Sequence, residues 1–535
     1  MSQKQKNLIG GISLLGLAGI ICKLVGVLYR IPLAQDIGAD GIGIYQLVFP
    51  SYNLLLTISS AGVPVAISRM VSSCLAQNDP RNARRVFRAS LMILTGLGIV
   101  TSAILAIFSG SFASATGSPQ AQTGFLCIAP SLLLVCVMSA FRGIMQGRRE
   151  MAPTAVSQLI EQVGKVFIAL PMANLFYAKG QTAIEQAALG AAGALMGTSV
   201  AEALALVYMA IRFLLSRKTY NAIPQDESRP AMSYRYLCWH VVLVAVPITI
   251  GACIVPLAGT IDSFMLVNIM DKYMAEGEAL RYYGVYSALV LTMINVPTGI
   301  AMAMSINLVP SVSSGFARQD FDYIRRESAT GLKLASLIGL PCSVGMSMLA
   351  EPILSVLYGG GKYSAELIHL GGELLSVSAL TIWLFTMVQA SSGILQGMRR
   401  QSIPMWTLLI GVLCKVALNY TLVRIPSVNI HGAPFASLLC YTVSAVPNLI
   451  YVCKHAKMKL SLKDLVLLPG AATAIMAGSV FLMLTLLGQE KLSSSLPRLC
   501  MVIFTAIVVY FVAAVFLGAI RREDLPGKFK RLARK

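Results

Sequence analysis

The sequence predicts an all-α integral membrane protein of about fourteen transmembrane helices, arranged as two pseudo-symmetric six-helix lobes followed by a C-terminal helix pair. Three observations predict this fold. Hydrophobic residues make up 56% of the chain and charged residues only 12%, against about 25% charged in a soluble domain. The cations fall between long apolar stretches, and the first half of the chain resembles the second. Lipid is therefore the expected solvent.

The apolar stretches are long enough to cross the hydrocarbon core of a bilayer, which takes about 20 residues per helix. The first begins after a basic start, like a signal peptide, but it is too long and has no small-x-small cleavage site, so we expect it to be retained. The predicted helices are 8–31, 44–75, 88–109, 122–146, 153–178, 187–214, 237–270, 283–313, 330–357, 367–396, 403–424, 431–453, 464–487 and 498–520.

The cations predict the topology. With the N-terminus inside, thirty of the 43 Lys and Arg residues fall on the inner side and seven in the outer loops. By the positive-inside rule, both termini face the cytosol. The net charge of +20 is thus a topology signal, and nucleic-acid binding is not expected. The 11 cysteines contain no CxxC pair, so neither a disulfide framework nor a metal site is expected.

An internal repeat predicts the two lobes. Residues 143–149 (GIMQGRR) recur at 393–400 (GILQGMRR), Asp79 with its following arginines recurs at Asp320, and 63–64 (VP) recurs at 296–297. The offset grows along the chain, as duplication followed by loop insertions would produce. Six helices per copy preserve the membrane side, so the symmetry axis should follow the membrane normal. The predicted divisions are an N-lobe at 1–215, a basic cytosolic linker at 216–236, a C-lobe at 237–453, a helix pair within 454–520 and a basic cytosolic tail at 521–535.

Four stretches carry a family resemblance, namely 22–32 (CKLVGVLYRIP), 41–53 (GIGIYQLVFPSYN), 60–69 (SAGVPVAISR) and 143–161. They resemble the stage V sporulation protein B group of polysaccharide-export flippases. This group belongs to the multidrug/oligosaccharidyl-lipid/polysaccharide exporter superfamily, which also contains the MurJ-type lipid II flippases.

The resemblance covers essentially the whole chain. It implies a V-shaped fold in a bacterial plasma membrane, alternating access, and transfer of an undecaprenyl-pyrophosphate-linked sugar, such as lipid II, from the inner to the outer leaflet. A role in cell-wall synthesis or sporulation would follow.

Ionisable residues inside membrane helices are the candidate site residues. Each costs at least about 2.5–3.5 kcal/mol at the bilayer centre, so such residues mark cavities or ion paths. The candidates are Lys23, Arg30, Arg69, Arg142, Glu161, Lys165, Glu202, Asp262 and Lys415.

Lys23 and Arg30 are seven residues apart on the first helix, hence on nearly the same face and about 10 Å apart along its axis. Two stacked cations suit a diphosphate. Alternatively, Arg30 extends to the outer head groups and Lys23 pairs with an acid. The resemblance implies that Lys23 matches a cation of the MurJ-type cavity and that Arg30 lies one residue from another. The arginines of the second helix in those proteins are replaced here by 55–57 (LLT).

The acids have several interpretations. In the repeat, Asp262 falls one position from the equivalent of Arg30, so it serves as a latch across the lobes, a proton or sodium site, or a structural partner. Glu202 is protonated, paired or an ion site. Glu161 stands four residues before Lys165, the favourable order for an internal ion pair.

The remaining cations differ in their expected partners. Lys415 is the repeat equivalent of Lys165 but has Gly411 at the position that matches Glu161, so it is expected to face the cavity. Arg69 and Arg142 lie near cytosolic helix ends and are expected to contact head groups or to act at a gate.

Two other functions compete with a flippase. A cation-coupled multidrug exporter would need an acidic cavity, whereas six embedded cations stand against three acids. An enzyme acting on the same lipid would need grouped acids or histidines, yet His240, His369, His431 and His455 are separated in the sequence, and no phosphate-binding loop is present. We therefore expect no enzyme activity and no cofactor. We expect a monomer among membrane lipids, driven by Na⁺, H⁺ or the membrane potential.

Overall fold

A computed structural model describes residues 3–221 and 230–520. Within these ranges the regular structure is helical throughout, without strands, which confirms the all-α prediction. By its contacts the chain divides into two compact units, Met1–Gly284 and Val285–Lys535. The predicted tail 521–535 and residues 222–229 of the predicted linker lie outside the described residues. The predicted lobe boundaries stay a prediction.

The first unit contains ten α-helices within its described residues. A π-helical turn, Lys165–Ala169, connects α6 to α7. The helices are α1 Gln3–Ser60, α2 Val63–Ala76, α3 Pro80–Ile107, α4 Ser109–Ala115, α5 Gln122–Gly147, α6 Ala152–Gly164, α7 Leu170–Tyr177, α8 Ala183–Asn221, α9 Tyr234–Met270 and α10 Glu278–Gly284.

The second unit also contains ten α-helices in its described part. Its π-helical segments are Val285–Val290 and Lys463–Leu467. The helices are α11 Leu291–Ala317, α12 Phe321–Met348, α13 Ala350–Tyr358, α14 Ala365–Ser378, α15 Thr381–Gly397, α16 Ser402–Leu422, α17 Gly432–His455, α18 Leu468–Leu487, α19 Gln489–Ser493 and α20 Leu496–Phe516.

By length and composition, 12 helices of the described chain can cross a membrane, or up to 13 when the bent pair α14 and α15 counts as one span. The first of them, Ile21–Ala76, has 56 residues. At 1.5 Å per residue it would be about 84 Å long if straight, whereas the hydrocarbon core is about 30 Å thick. This segment has the length of two crossings, and the total of fourteen stays a prediction.

The predicted break between the first two helices, at 32–43, contains the kink that divides α1 into two helices. Gly38 is non-helical there, with φ 72° and ψ −177°. Glycine has no Cβ and adopts this conformation readily. The break is shorter than predicted, because Pro32 is accommodated within the helix, as prolines can be in membrane helices.

Large apolar side chains cover the outside of the helices. Ile107, Phe167 and Phe516 are 75%, 73% and 86% exposed. Exposed apolar surface on this scale is rare on soluble proteins. The helical faces are therefore suited to lipid, in agreement with the composition.

The helix ends reproduce the internal repeat. The side chain of Asp79 caps α3 by accepting a hydrogen bond from the Asn82 amide at 2.9 Å, and that of Asp320 caps α12 by accepting one from the Tyr323 amide at 2.9 Å. The residue before each aspartate lies in the left-handed region, with φ of 52° and 57°. The two turns therefore share one geometry, 241 residues apart.

Helix packing repeats in the same way. A Cβ placed on Gly147 at the end of α5 would lie 2.8 Å from Cβ of Val71 on α2. One placed on Gly397 at the end of α15 would lie 2.8 Å from Cβ of Val312 on α11. Both glycines permit close helix contact, and both pairs obey the offsets found in the sequence. The pseudo-symmetry predicted from the sequence is confirmed at the level of side-chain contacts.

Candidate functional site

Most of the predicted site residues lie in the first unit, on helices that pack against α1. Long apolar runs form these helices, and α1 contacts α5, α6, α8 and α9. Lys23 and Arg30 are on α1 itself, and Glu161, Glu202 and Asp262 are on helices that contact it. Lys165 lies in the π-helical turn after α6.

Glu202 is the centre of a buried polar network. Its side chain is 5% exposed on α8. The Tyr52 hydroxyl on α1 donates to Oε1 at 3.0 Å, and the Ser131 hydroxyl on α5 donates to Oε2. Tyr52 and Ser131 are themselves 2.8 Å apart. Three helices therefore meet at one carboxyl group, and Glu202 has hydrogen-bond partners within the apolar interior.

Glu161 forms an ion pair with Arg142 on α5 across 2.6 Å, and both side chains are largely buried. The Arg142 Nε also donates to the Ser157 hydroxyl at 3.0 Å. The predicted pairing of Glu161 with Lys165 was therefore wrong, as was the placement of Arg142 at the head groups. Ser157 and Glu161 are one turn apart on α6, so a single planar guanidinium contacts both.

Lys165 begins the π-helical turn that follows α6. It is half-buried and has no ion-pair partner among the described residues. Its charge acts on Glu202, as do those of Glu161 and Arg142. Lys165 is therefore a cation in the same electrostatic neighbourhood as the buried carboxyl.

Lys23 is exposed and Arg30 is half-buried on α1. Between them, a Cβ on Gly26 would lie 3.6 Å from the Gln162 Oε1, so this part of α1 contacts α6. The Arg30 guanidinium lies 5.9 Å from the centre of the Phe49 ring. Phe49 in turn contacts Tyr52 at a ring distance of 5.8 Å. Arg30 is thereby connected through aromatic rings to the Glu202 network.

Asp262 is buried on α9, with 8% of its surface exposed. Two residues before it, the Thr260 hydroxyl donates to the Pro50 carbonyl of α1 at 3.1 Å. The aspartate thus lies on the part of α9 that packs against the second half of α1, within one compact unit. Its predicted role as a latch partner of Arg30 stays a prediction.

Arg69 and Lys415 lie on other elements. Arg69 is exposed on α2, and Lys415 is half-buried on α16 of the second unit, with Asn419 fully buried one turn further on. A Cβ on Gly411 would lie 2.5 Å from the Cys440 carbonyl oxygen. An acid cannot occupy that position without displacing α17, which explains why the repeat lacks one there.

Two of the four histidines, although separated in the sequence, lie close to the same carboxylate in the structure. His369 Nε2 and His431 Nε2 lie 3.4 Å and 3.1 Å from the two oxygens of Glu373. His369 Nδ1 also lies 3.4 Å from Glu351. His369 and Glu373 are one turn apart on α14, whereas Glu351 and His431 come from α13 and from the turn before α17 and join them only in the folded structure.

We did not predict Tyr52, Ser131 or Arg142 as partners of the acids. Tyr52 is part of the resemblance segment at 41–53, which was the one available signal. Serine occurs in membrane helices often enough that Ser131 gave none. The rotation of each helix decides which polar side chains meet.

The fold and these buried charges define a multi-pass membrane protein with ion-paired and hydrogen-bonded polar groups inside its helical units. The profile of the polysaccharide biosynthesis protein family matches residues 8–316, and that of the MatE family matches residues 247–421. The chain belongs to the polysaccharide biosynthesis protein family. The two profiles together cover residues 8–421 and confirm the predicted family resemblance over most of the chain.

Relatives of known name cover almost all of the chain. "Lipid II flippase MurJ" of Bacillus subtilis strain 168 is 25% identical over 98% of both chains. "Stage V sporulation protein B" of the same organism is 25% identical over 86% of both. Two solved structures share the fold. The inward closed conformation of a lipid II flippase MurJ has a TM-score of 0.69, 14% identity and coverage of 94% and 98%. An inward-facing MATE family transporter has a TM-score of 0.68, 15% identity and coverage of 81% and 94%.

Proposed function

We propose that this protein is a flippase that moves an undecaprenyl-pyrophosphate-linked cell-wall precursor of the lipid II class from the inner to the outer leaflet by alternating access. The observation that carries the proposal is the set of cations on and beside α1. Lys23 and Arg30 lie on α1, and Lys165 directly follows α6. Glu161 does not neutralise them, because it is paired with Arg142. The names of the relatives at 25% identity support the same substrate class.

The substrate sets the physical requirement. A pyrophosphate-sugar head group must cross hydrocarbon while its lipid chain remains there, so the path needs cations in a hydrated cavity. Lys23 is exposed on its helix and Arg30 is half-buried. In this proposal both lie within the membrane and present exposed surface to the head group. In this proposal they bind the two phosphates, and Lys165, Lys415 and Arg69 contact the head group along the path.

The three acids serve gating or ion coupling in this proposal. Glu202 is the best placed, because its carboxyl contacts helices α1 and α5 through hydroxyl groups. A proton or Na⁺ taken up there would change how those helices pack. Loss of gradient dependence of transport in a Glu202→Gln variant checks this assignment, and an unchanged dependence on both Na⁺ and H⁺ gradients rejects it.

The proposal places a monomer in the bacterial plasma membrane with both termini in the cytosol, without a cofactor and without enzyme activity. The cation distribution along the chain supports this orientation. Membrane lipids surround the exposed apolar faces.

Depletion of the protein in its native cell tests the function. The proposal expects one undecaprenyl-pyrophosphate-linked precursor to accumulate on the inner face, measured by mass spectrometry and by its accessibility to membrane-impermeant reagents. Unchanged precursor levels in a strain without a redundant flippase would contradict it.

A second candidate is a cation-coupled multidrug exporter. It is favoured by the match of residues 247–421 to the MatE family and by the buried carboxyl of Glu202. In that case depletion would raise the retention of organic cations and leave the lipid-linked precursors unchanged, so the same experiment separates the two.

A further inference from the structure

A polar cavity of about 240 Å³ lies in the second unit, away from the residues assigned to transport. One wall is the first half of α12 and the other is the segment 458–465 that leads into α18. The cation distribution assigns this end of α12 to the cytosolic side. The polar residues lining the cavity are Arg326, Thr330, Lys333, Lys459, Ser461 and Asp464.

The α12 wall follows from helical spacing. Arg326, Thr330 and Lys333 are spaced i, i+4 and i+7, so they form one stripe on the helix. Lys333 is only 8% exposed, which is rare for a lysine. Its side chain forms part of the cavity wall.

The opposite wall is held in place by hydrogen bonds. The Ser461 hydroxyl donates to Asp464 Oδ2 at 3.0 Å and accepts from the Asp464 amide. The Ser336 hydroxyl of α12 donates to the Leu465 carbonyl and accepts from Trp383 Nε1 at 3.1 Å. These bonds connect the segment before α18 to α12, so the cavity is a built feature with a defined shape.

The lining is strongly basic. Three cations stand against a single carboxylate, Asp464, which leaves two positive charges in excess. Arg326 and Lys459 are exposed and have no ion-pair partner within the part of the chain that the structure describes. Two hydroxyl groups add donors for an anion with several oxygens.

The corresponding place in the first unit lacks these features. The repeat equivalent of Arg326 is Arg85, whose Nε donates to the Met232 carbonyl at 2.8 Å and whose guanidinium lies 4.4 Å from the Tyr234 ring. The equivalent of Lys333 is Met92. The shared fold therefore does not require the cations that line this cavity of the second unit.

We propose that this cavity binds the phosphate group of an anionic membrane lipid. Its volume is below the roughly 300–1,000 Å³ of pockets that enclose a whole small molecule, so it suits a head group whose chains stay outside. The lining also includes Met458 and Leu460, apolar contacts for the part of the lipid next to its phosphate. Basic pockets between membrane helices on the cytosolic side recognise such lipids.

The test compares two double variants of the full-length purified protein. Arg326→Gln with Lys459→Gln removes two cavity cations, and Arg325→Gln with Lys454→Gln removes the same charge from exposed positions that do not line the cavity. Binding of phosphatidylglycerol, phosphatidylcholine and inorganic phosphate is measured by native mass spectrometry and by the shift in melting temperature.

The proposal expects phosphatidylglycerol to bind the wild type and the control variant alike. The dissociation constant should rise about 30-fold in the cavity variant, from roughly fivefold for each cation. Equal binding by both double variants, or equal binding of phosphatidylcholine, would overturn the site. If inorganic phosphate alone competes fully with phosphatidylglycerol and shifts the melting temperature as much, the anion site stands and its lipid source is rejected.

Discussion

Arg142 illustrates how single residues are organised in the first unit. Its guanidinium contacts Ser157 and Glu161 on α6, and both partners of the ion pair are largely buried. Removing one member of such a pair leaves a charge without compensation in a medium of low dielectric constant. The pair therefore connects α5 to α6 and keeps Glu161 from neutralising Lys165.

This arrangement predicts non-additive stability. Glu161→Gln alone should lower the free energy of unfolding by about 3 kcal/mol, whereas Arg142→Gln with Glu161→Gln together should cost less, because no isolated charge remains. Thermal or denaturant unfolding in nanodiscs measures both. Glu276→Gln, at an exposed carboxylate, is the control and should be neutral. Additive losses in the double variant would show that the pair is not a coupled unit.

Arg30 and Asp262 allow a charge-reversal test of the latch. Asp262 lies where α9 packs against α1, and Arg30 is on the same helix α1. If the two residues close the path as a pair, Arg30→Asp with Asp262→Arg should restore part of the transport that each single reversal abolishes. Flipping rates at matched expression measure this. Inactive singles and an equally inactive double variant would indicate separate roles in substrate and ion binding.

Among the site residues, residue type in an apolar span was enough to identify Glu202, Glu161 and Asp262 as buried. Their partners could not be read from the sequence. The spacing of Glu161 and Lys165 favoured a local pair, but Arg142 offers a planar fork that contacts two acceptors at once. The rotation of α5 relative to α6 decides which cation contacts Glu161. No simple sequence pattern predicts that rotation.

At the scale of helices, glycines determine how closely neighbours approach. Gly147 and Gly397 each leave room for a valine of the helix opposite. Apolar length and the positions of charges were sufficient to predict nearly every helix. In α1 the predicted break at 32–43 is a kink at Gly38, and it is shorter than predicted because Pro32, a residue that usually ends a helix, is accommodated within the helix.

The glycine contacts predict matched losses in both units. Gly147→Ala and Gly397→Ala should each destabilise the protein by about 1–3 kcal/mol, because the added Cβ would lie 2.8 Å from a valine Cβ. Gly478→Ala on α18 meets no atom within 4 Å and should be neutral or slightly stabilising, since alanine favours helix. Unfolding measurements in one detergent compare all three. Neutral effects at both repeat positions would contradict close packing at these contacts.

For the whole molecule, the repeat and the cation distribution together predict the orientation. Shared cap geometry at Asp79 and Asp320 shows that both copies start corresponding helices in the same way. The positive-inside rule then predicts that those ends face the cytosol.

Single-cysteine labelling in a cysteine-free background checks this topology. Cysteines near residues 115 and 360 should react with an impermeant reagent from outside, and those near 225 and 460 only from inside, because the basic segments stay in the cytosol. Labelling near residue 225 from the outside would contradict the predicted orientation. It would also contradict a repeat of six helices, because an even number of helices returns the chain to the same side of the membrane.

The central claim is that cations on α1 carry an anionic lipid-linked sugar across the membrane. Its most direct test is the flipping rate of fluorescent lipid II in proteoliposomes for the wild type, Lys23→Ala, and Lys272→Ala as a control at an exposed lysine outside the spans.

Lys23→Ala should abolish flipping while the protein stays folded, because removing a cation from a hydrated path costs substrate binding rather than core packing. Lys23→Arg should keep more activity than Lys23→Gln, and Lys272→Ala should flip at the wild-type rate. Flipping by Lys23→Ala at the wild-type rate would contradict the account.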